Sequence, residues 1–321
     1  MKKQLAAFLA AFAWTALAQA QGYPNRPIRM VIPWPPGQAT DLAGRLMAQK
    51  LSELLGQPVI PDNRPGAGGT IGTDHAAKSA PDGYTILAAS SGPATVSPLL
   101  QKLPYDTEKN LAPVHLVGLS PYLLVVHPSF PANNAREFID AVRASPGKYS
   151  FSSSGTGATA HLIAEWFNSQ AKLKALHVPY KGSAQSLSDL VAGQVVYSVE
   201  TLAATGPLVR AGKLKSFGVS LEGGSTLAPG IPPLAQSASL PGFDVGAWLG
   251  LMGPAGTPRE IINRLAAESA KSLQTADTRE KLANIGIEMI AKGPEDFATY
   301  LKGESARFAA IIKDGNIKLD P

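Results

Sequence analysis

The chain contains no cysteine. That excludes disulfides, zinc sites built on thiolates, and lipidation through sulfur, so packing alone must stabilise the fold. Charge is also scarce, at 17% of residues, and no dense run of Lys or Arg occurs. Removing Lys2 and Lys3, which sit in an N-terminal leader, from the 29 Lys and Arg leaves 27 basic against 24 acidic residues. Nucleic acid and acidic membrane surfaces are therefore not expected as partners. The five histidines (His75, His115, His127, His161 and His177) show no metal-ligand spacing, so no metal site is expected. Internal repeats, low-complexity tracts and long flexible linkers are absent as well.

What is present begins with that leader. Lys2 and Lys3 precede an apolar stretch from Leu5 to Leu17, which ends in the small-x-small pattern Ala18-Gln19-Ala20. The stretch is shorter than the roughly 20 residues of a membrane-spanning helix. It has the form of a secretory signal cleaved near Ala20, and it places the mature chain in the periplasm. The remaining length suits two medium domains better than one core.

Short apolar strands alternate with amphipathic helices, the pattern of an α/β protein with mostly parallel sheets flanked by helices. Ile28 to Ile32 predicts a buried strand, and Leu42, Leu46, Met47, Leu51, Leu54 and Leu55 a helical stripe closed by Gly56. Thr85 to Ala89 predicts a further strand. A change of unit is expected at Tyr122 to Val126, and a return at Gly246 to Gly253. Two helices, Arg259 to Ala276 and Pro294 to Lys313, should close the chain. The expected organisation is a leader over 1–20, one lobe from 21–122 with 246–321, and a second over 123–245. The two strand crossings make a hinge suited to closure around a ligand.

Two strand–loop–helix segments carry the strongest chemical signal. Ile32 is followed by Pro33-Trp34-Pro35-Pro36-Gly37-Gln38-Ala39-Thr40-Asp41 and a helix. Phe151 is followed by Ser152-Ser153-Ser154-Gly155-Thr156-Gly157-Ala158-Thr159-Ala160-His161 and another. Ligands of open α/β sheets bind beyond the carboxyl ends of the strands, where the first helical amides lack intrahelical partners and attract anions. One such loop is more often only a helix cap; two, one per lobe, point to a site. The third strand, Thr85 to Ala89, ends in Ser90-Ser91-Gly92-Pro93.

Other residues admit two readings. Trp34 either packs the lobe or stacks on a planar ligand. Glu200, at a strand end, either braces a turn or meets a ligand amine. His161 either serves the helix start or touches ligand. A secreted hydrolase using Ser153 or Ser154 with His161 lacks both a G-x-S-x-G elbow and a nearby acid. Gly66 to Gly72 lacks dinucleotide-loop spacing, and no cofactor is expected.

Several ordered motifs resemble one family, the Bug-type solute-binding proteins of tripartite tricarboxylate transporters. They are Val31-Ile32-Pro33-Trp34-Pro35-Pro36-Gly37 with Thr40-Asp41, Asn63-Arg64-Pro65-Gly66-Ala67-Gly68-Gly69, Pro81-Asp82-Gly83-Tyr84-Thr85, His127-Pro128-Ser129, Ser153-Ser154-Gly155 with His161-Leu162, Val178-Pro179-Tyr180-Lys181-Gly182, Ala211-Gly212-Lys213-Leu214 and Pro254-Ala255-Gly256-Thr257-Pro258. The resemblance spans essentially the whole mature chain. It implies a two-lobed periplasmic binding protein fold of type II form, no catalysis, and a small carboxylate ligand delivered to integral membrane transporter subunits. A monomer is expected. A ligand-sensing co-receptor for a signalling kinase would share fold and ligand and differ only in partner.

The resemblance places ligand contacts on Trp34, Gly37, Gln38, Ala39, Thr40, Asp41, Ser90, Ser91, Ser153, Ser154, Gly155, Thr156, Gly157, Thr159, His161, Tyr180 and Glu200. Three departures bear on which carboxylate is taken: Trp34 stands where the family usually has Phe, Gln38 where it usually has Gly, and Glu200 where it usually has Asp.

Overall fold

The computed structural model describes residues 22–314, so the leader expected at Met1 to Ala20 lies outside the described residues. Strand β1 (Ile28–Ile32) leads into α1 (Ala39–Leu55), β2 (Val59–Asn63), α2 (Thr70–Ala77) and β3 (Thr85–Ser90). A long strand, β4 (Leu111–Val126), opens a second unit of α3 (Ala135–Arg143), β5 (Ser150–Ser153), α4 (Thr159–Gln170), β6 (Leu176–Pro179), α5 (Ser183–Val191), β7 (Tyr197–Thr201), α6 (Leu202–Arg210) and β8 (Lys215–Val219). Strand β9 (Gly246–Pro254) returns to the first unit, followed by α7 (Arg259–Gln274), α8 (Ala276–Asn284), β10 (Glu288–Lys292) and α9 (Pro294–Asp314).

Local chemistry explains the element bounds. β1 is buried at four of its five positions because β2 and β3 flank it and helices cover both faces. α1 stops where Gly56 turns left-handed at φ 69° and donates its amide to Ser52. The expected apolar stripe holds at Leu46, Met47, Leu51 and Leu55, whereas Leu42 and Leu54 are 40% and 39% exposed.

The expectation of mostly parallel sheets holds only for the first strands of each unit. β2, β1 and β3 run parallel, as do β6, β5 and β7. The pairings of β3 with β9 and of β4 with β7, β8, β9 and β10 are antiparallel. Each of these antiparallel pairings involves β4 or β9, the two strands on which the chain passes between the sheets.

β4 starts at Leu111, eleven residues before the apolar run expected from Tyr122 to Val126. Its first half pairs with β9 and β10, its second with β7 and β8. Register shifts at Pro113/His115 and Leu116/Gly118 accommodate a proline and a glycine that otherwise read as strand breakers. The second crossing lies alongside, where Gly246 pairs with Pro121 and the Val245 amide reaches the Ser220 carbonyl at 3.2 Å. The helix expected from Arg259 to Ala276 is α7, which ends at Gln274, and α8 follows it as a helix not expected from the sequence. Thr275 leaves helical geometry at ψ 141° and its hydroxyl caps α8 by accepting from the Thr278 amide.

Helix α9 ties the units together a third time. Phe297 packs with Trp248 and Met252 in the core of the first sheet. Three turns later, Phe308 and Ile311 join Phe138, Phe151 and Phe167 in the core of the second. Contact between α9 and β9 is tight: a β-carbon on Gly250 would lie 2.6 Å from Phe297 Cζ and 3.0 Å from the His115 carbonyl oxygen. Gly250→Val should overpack this seam and destabilise the protein by about 1–3 kcal/mol, seen as a lower urea midpoint with an unchanged slope.

Candidate functional site

The first loop is held in shape by one buried carboxylate. Asp41, 1% exposed, accepts from the Gly37 amide at 2.9 Å, from Asn63 Nδ2 at 2.7 Å and from Arg45 Nε at 2.9 and 3.1 Å. Burial pushes its pKa up, but the bonds from Asn63, Gly37 and Arg45 outweigh this and hold it below the usual carboxylate range. Asp41 is thus turned inward, and the Gly37 amide, at φ 88°, is engaged with it. Both were expected as ligand contacts; the structure gives them to the loop itself. The donors left at the start of α1 are the amides of Ala39, Thr40 and Asp41, behind an exposed Gln38 that makes no side-chain cap.

Trp34 is fixed at both ends. Its Nε1 donates to Ser90 Oγ at 2.9 Å, and its carbonyl accepts from Asn63 Nδ2 at 2.9 Å. The ring lies against two glycines, since β-carbons on Gly69 and Gly92 would sit 3.4 Å and 3.7 Å from it. Of its two readings, lobe packing is the one visible here. Ser90 is engaged by that indole. The Ser91 carbonyl accepts from Thr95 Oγ1 at 2.7 Å, opening the helical turn Gly92–Val96.

The second loop rests on stacked imidazoles. His161 lies over His177 at 4.0 Å between ring centroids and 13° between planes, and His177 lies over Phe151 at 4.9 Å. Burial, reinforced by His161, lowers the His177 pKa to about 4, so that ring is neutral at ordinary pH. His177 Nε2 is 2.7 Å from Ser153 Oγ, which also accepts from the Gly155 amide at 3.2 Å. His161 Nδ1 accepts from the Gly157 amide at 3.2 Å. Gly155 and Gly157 take φ 137° and 76°, and a β-carbon on Gly155 would approach the Tyr180 carbonyl oxygen at 3.1 Å. Ser154 and Thr156 line the rim, half-buried and exposed. Ala158 offers no side-chain cap, so the amides of Thr159, Ala160 and His161 lead α4 much as their counterparts lead α1.

Two further expected contacts are engaged within the protein. The Tyr180 hydroxyl donates to Asp189 at 2.8 Å. Glu200 is buried and accepts from Ser183 Oγ at 2.9 Å and from the Thr201 amide at 2.8 Å; burial raises its pKa. It braces the turn between β7 and α6.

The loops meet at Gly92. A β-carbon there would lie 3.6 Å from Thr159 Oγ1 of the second unit, as well as beside Trp34 of the first. The Arg45 guanidinium, one turn into α1, is held by Asp41 and by Asn63 at 2.6 Å. Residues not singled out from sequence include Asn63, His177 and Gly92. Asn63 and His177 stand within the family motifs or at a strand end, but their partners lie 22 and 24 residues away in the chain.

Hydrolytic chemistry has no support in this geometry. Ser153 pairs with His177, not His161, and among the described residues no carboxylate is hydrogen-bonded to His177. The Glu165 carboxylate is 3.8 Å from His161 Nε2 instead. No group of three or more His, Asp or Glu that could hold a metal occurs among the described residues.

Comparison with known proteins agrees with the expected resemblance. Residues 43–317 match the family described as "Tripartite tricarboxylate transporter family receptor". The protein BugT of Bordetella pertussis is 35% identical over 314 residues, covering 97% of this chain and 96% of its own. The structure of R. palustris Rpa4515 with adipate superposes with a TM-score of 0.85 at 31% identity, covering 92% of this chain and 99% of that one. MatC from Rhodopseudomonas palustris with bound malate gives 0.78 at 30% identity, covering 90% and 100%.

The Asp41 cage yields a signed pH dependence. A carboxylate whose folded pKa is depressed stabilises above its unfolded pKa and loses that contribution as pH falls through the folded one. Asp41→Asn should therefore cost about 2 kcal/mol at neutral pH, and thermal denaturation at descending pH should show the gap to the parent protein closing below the carboxylate range.

Proposed function

We propose, since the chain belongs to the tripartite tricarboxylate transporter receptor family, that it captures a small aliphatic dicarboxylate between its two units and delivers it to integral membrane transporter subunits. It is a receptor and not an enzyme. Its place of work is the periplasm, reached through the leader ending near Ala20. No described helix is long and apolar enough to cross a membrane.

The observation that carries this reading is the pair of uncapped helix starts. Gln38 and Ala158, the residues before α1 and α4, both lack a side-chain cap, and Thr159 brings the second start to Gly92 and Trp34 of the first unit. Unpaired amides at a helix start carry partial positive charge and suit a carboxylate. A diacid would place one carboxylate on each helix. Two related structures hold diacids of this kind, adipate and malate. Trp34, packed between Gly69 and Gly92, supports an aliphatic ligand over an aromatic one that would need a free ring face.

The two sheets with their helices act as lobes, 21–122 with 246–321 and 123–245, hinged where β4 and β9 cross. Ligand shifts their open–closed equilibrium by the difference in its affinity for the two states, and the transporter reads the closed form.

Proline provides a specific test. Gln38 and Ala158 both have extended backbone, ψ 158° and 153°, the geometry favoured before proline. Proline is tolerated at the first helical position and removes one amide donor. Ala39→Pro and Thr159→Pro should each retain helical circular dichroism while weakening adipate or malate binding by about 10-fold or more, since a hydrogen bond to a charged group contributes about 1.5–3 kcal/mol. Calorimetry showing parental affinity in both variants would refute the placement.

A further inference from the structure

One buried acid has no part in the site yet lies where the two units join. Glu304, on α9, is 2% exposed. Its Oε2 has no hydrogen-bond partner among the described residues, and its Oε1 meets Arg307 at 3.3 Å. The helix that carries it is anchored in both cores, by Phe297 in the first and Phe308 in the second.

Both chain crossings face this carboxyl. Tyr122, where β4 passes from one sheet to the other, is fully buried within its electrostatic reach. Asp244, two residues before β9, faces it from the other crossing and shares Arg307 with it at 3.9 Å; Arg307 also donates to the Asp244 carbonyl. Tyr300 lies one turn away on the same helix. Glu200, on β7, acts electrostatically on Tyr122 from the second unit, as does the side chain of Thr159, the first residue of α4. Arg307, itself 41% exposed, is the only cation among these groups.

We propose that Glu304 makes the hinge proton-linked: protonated, it favours approach of the two units, and ionised, it favours their separation. The reason is solvation. A carboxylate sealed among Tyr122, Tyr300 and Asp244 with one oxygen unpaired is disfavoured, and relative movement of the crossings is what admits water to it. Burial accordingly raises its pKa to about 7, so the switch falls within the ordinary working range. The sign follows from linkage. A raised folded-state pKa means the compact form holds the proton and is weakened as pH rises through that value.

The inference rests on the reading of the two units as lobes that close on a ligand. If that reading holds, a carboxylate arriving beside Thr159 meets the same buried acid through Tyr122, so capture takes up a proton and release gives it back.

The test needs no ligand and so stands apart from the identity of the solute. Because the chain has no cysteine, Gln49→Cys on α1 and Gln185→Cys on α5, both exposed positions, would be its only two spin-label sites. Pulsed electron spin resonance on the free protein should give a longer distance at pH 8.5 than at pH 5.5. The same labels in Glu304→Gln should give one distribution at both values, with Glu304→Met repeating the measurement if the first variant does not fold. An unchanged distance in the parent, or a shift that survives removal of Glu304, overturns the proposal.

Discussion

A single strand belongs to both sheets. Leu111 to Pro121 of β4 pairs with β9, and Tyr122 to Val126 of the same strand pairs with β7 and β8. Both candidate loops are placed relative to this shared element: Trp34 and Ser90 through β3 and β9, Ser153 and Thr159 through β5 and β7. Because strand register sets which face a side chain takes, the pairing of β4 fixes how the two sets of loops face one another. Register shifts at Pro113/His115 and Leu116/Gly118 interrupt the pairing with β9, yet all sixteen residues form one strand that serves two sheets.

The site built on this frame uses electrostatics of a particular kind. The donors left open at the helix starts are backbone amides, and the Arg45 guanidinium is paired with Asp41 and held by Asn63. Three titratable groups beside the loops, Asp41, Glu200 and the neutral imidazole of His177, serve as scaffolding. Each satisfies donors of the chain and thereby fixes where the remaining donors point. This division of labour explains why so many residues of the loops bond inward while the helix starts remain uncapped.

Much of this was legible before any coordinates. Ile28 to Ile32, the Gly56 stop, the Ser/Gly/Thr loop and the return at Gly246 follow from local periodicity and turn chemistry. What escaped was non-local or masked by breakers. Pro113 and Gly118 hid the first half of β4, and Thr275 resembled a continuing helix although its hydroxyl starts a new one. The roles of Asp41, Tyr180 and Glu200 depend on Asn63, Asp189 and Ser183, partners that spacing along the chain does not reveal. Pattern alone places a residue at a cleft, and only its neighbours decide whether it faces in or out.

Reliance on main-chain donors has an evolutionary consequence. Apart from replacement by proline, a substitution at Gln38, Ala39 or Thr159 alters shape and polarity at the helix starts but leaves the peptide N–H groups in place. A site of that construction would tolerate change at its rim while its main-chain donors stay fixed.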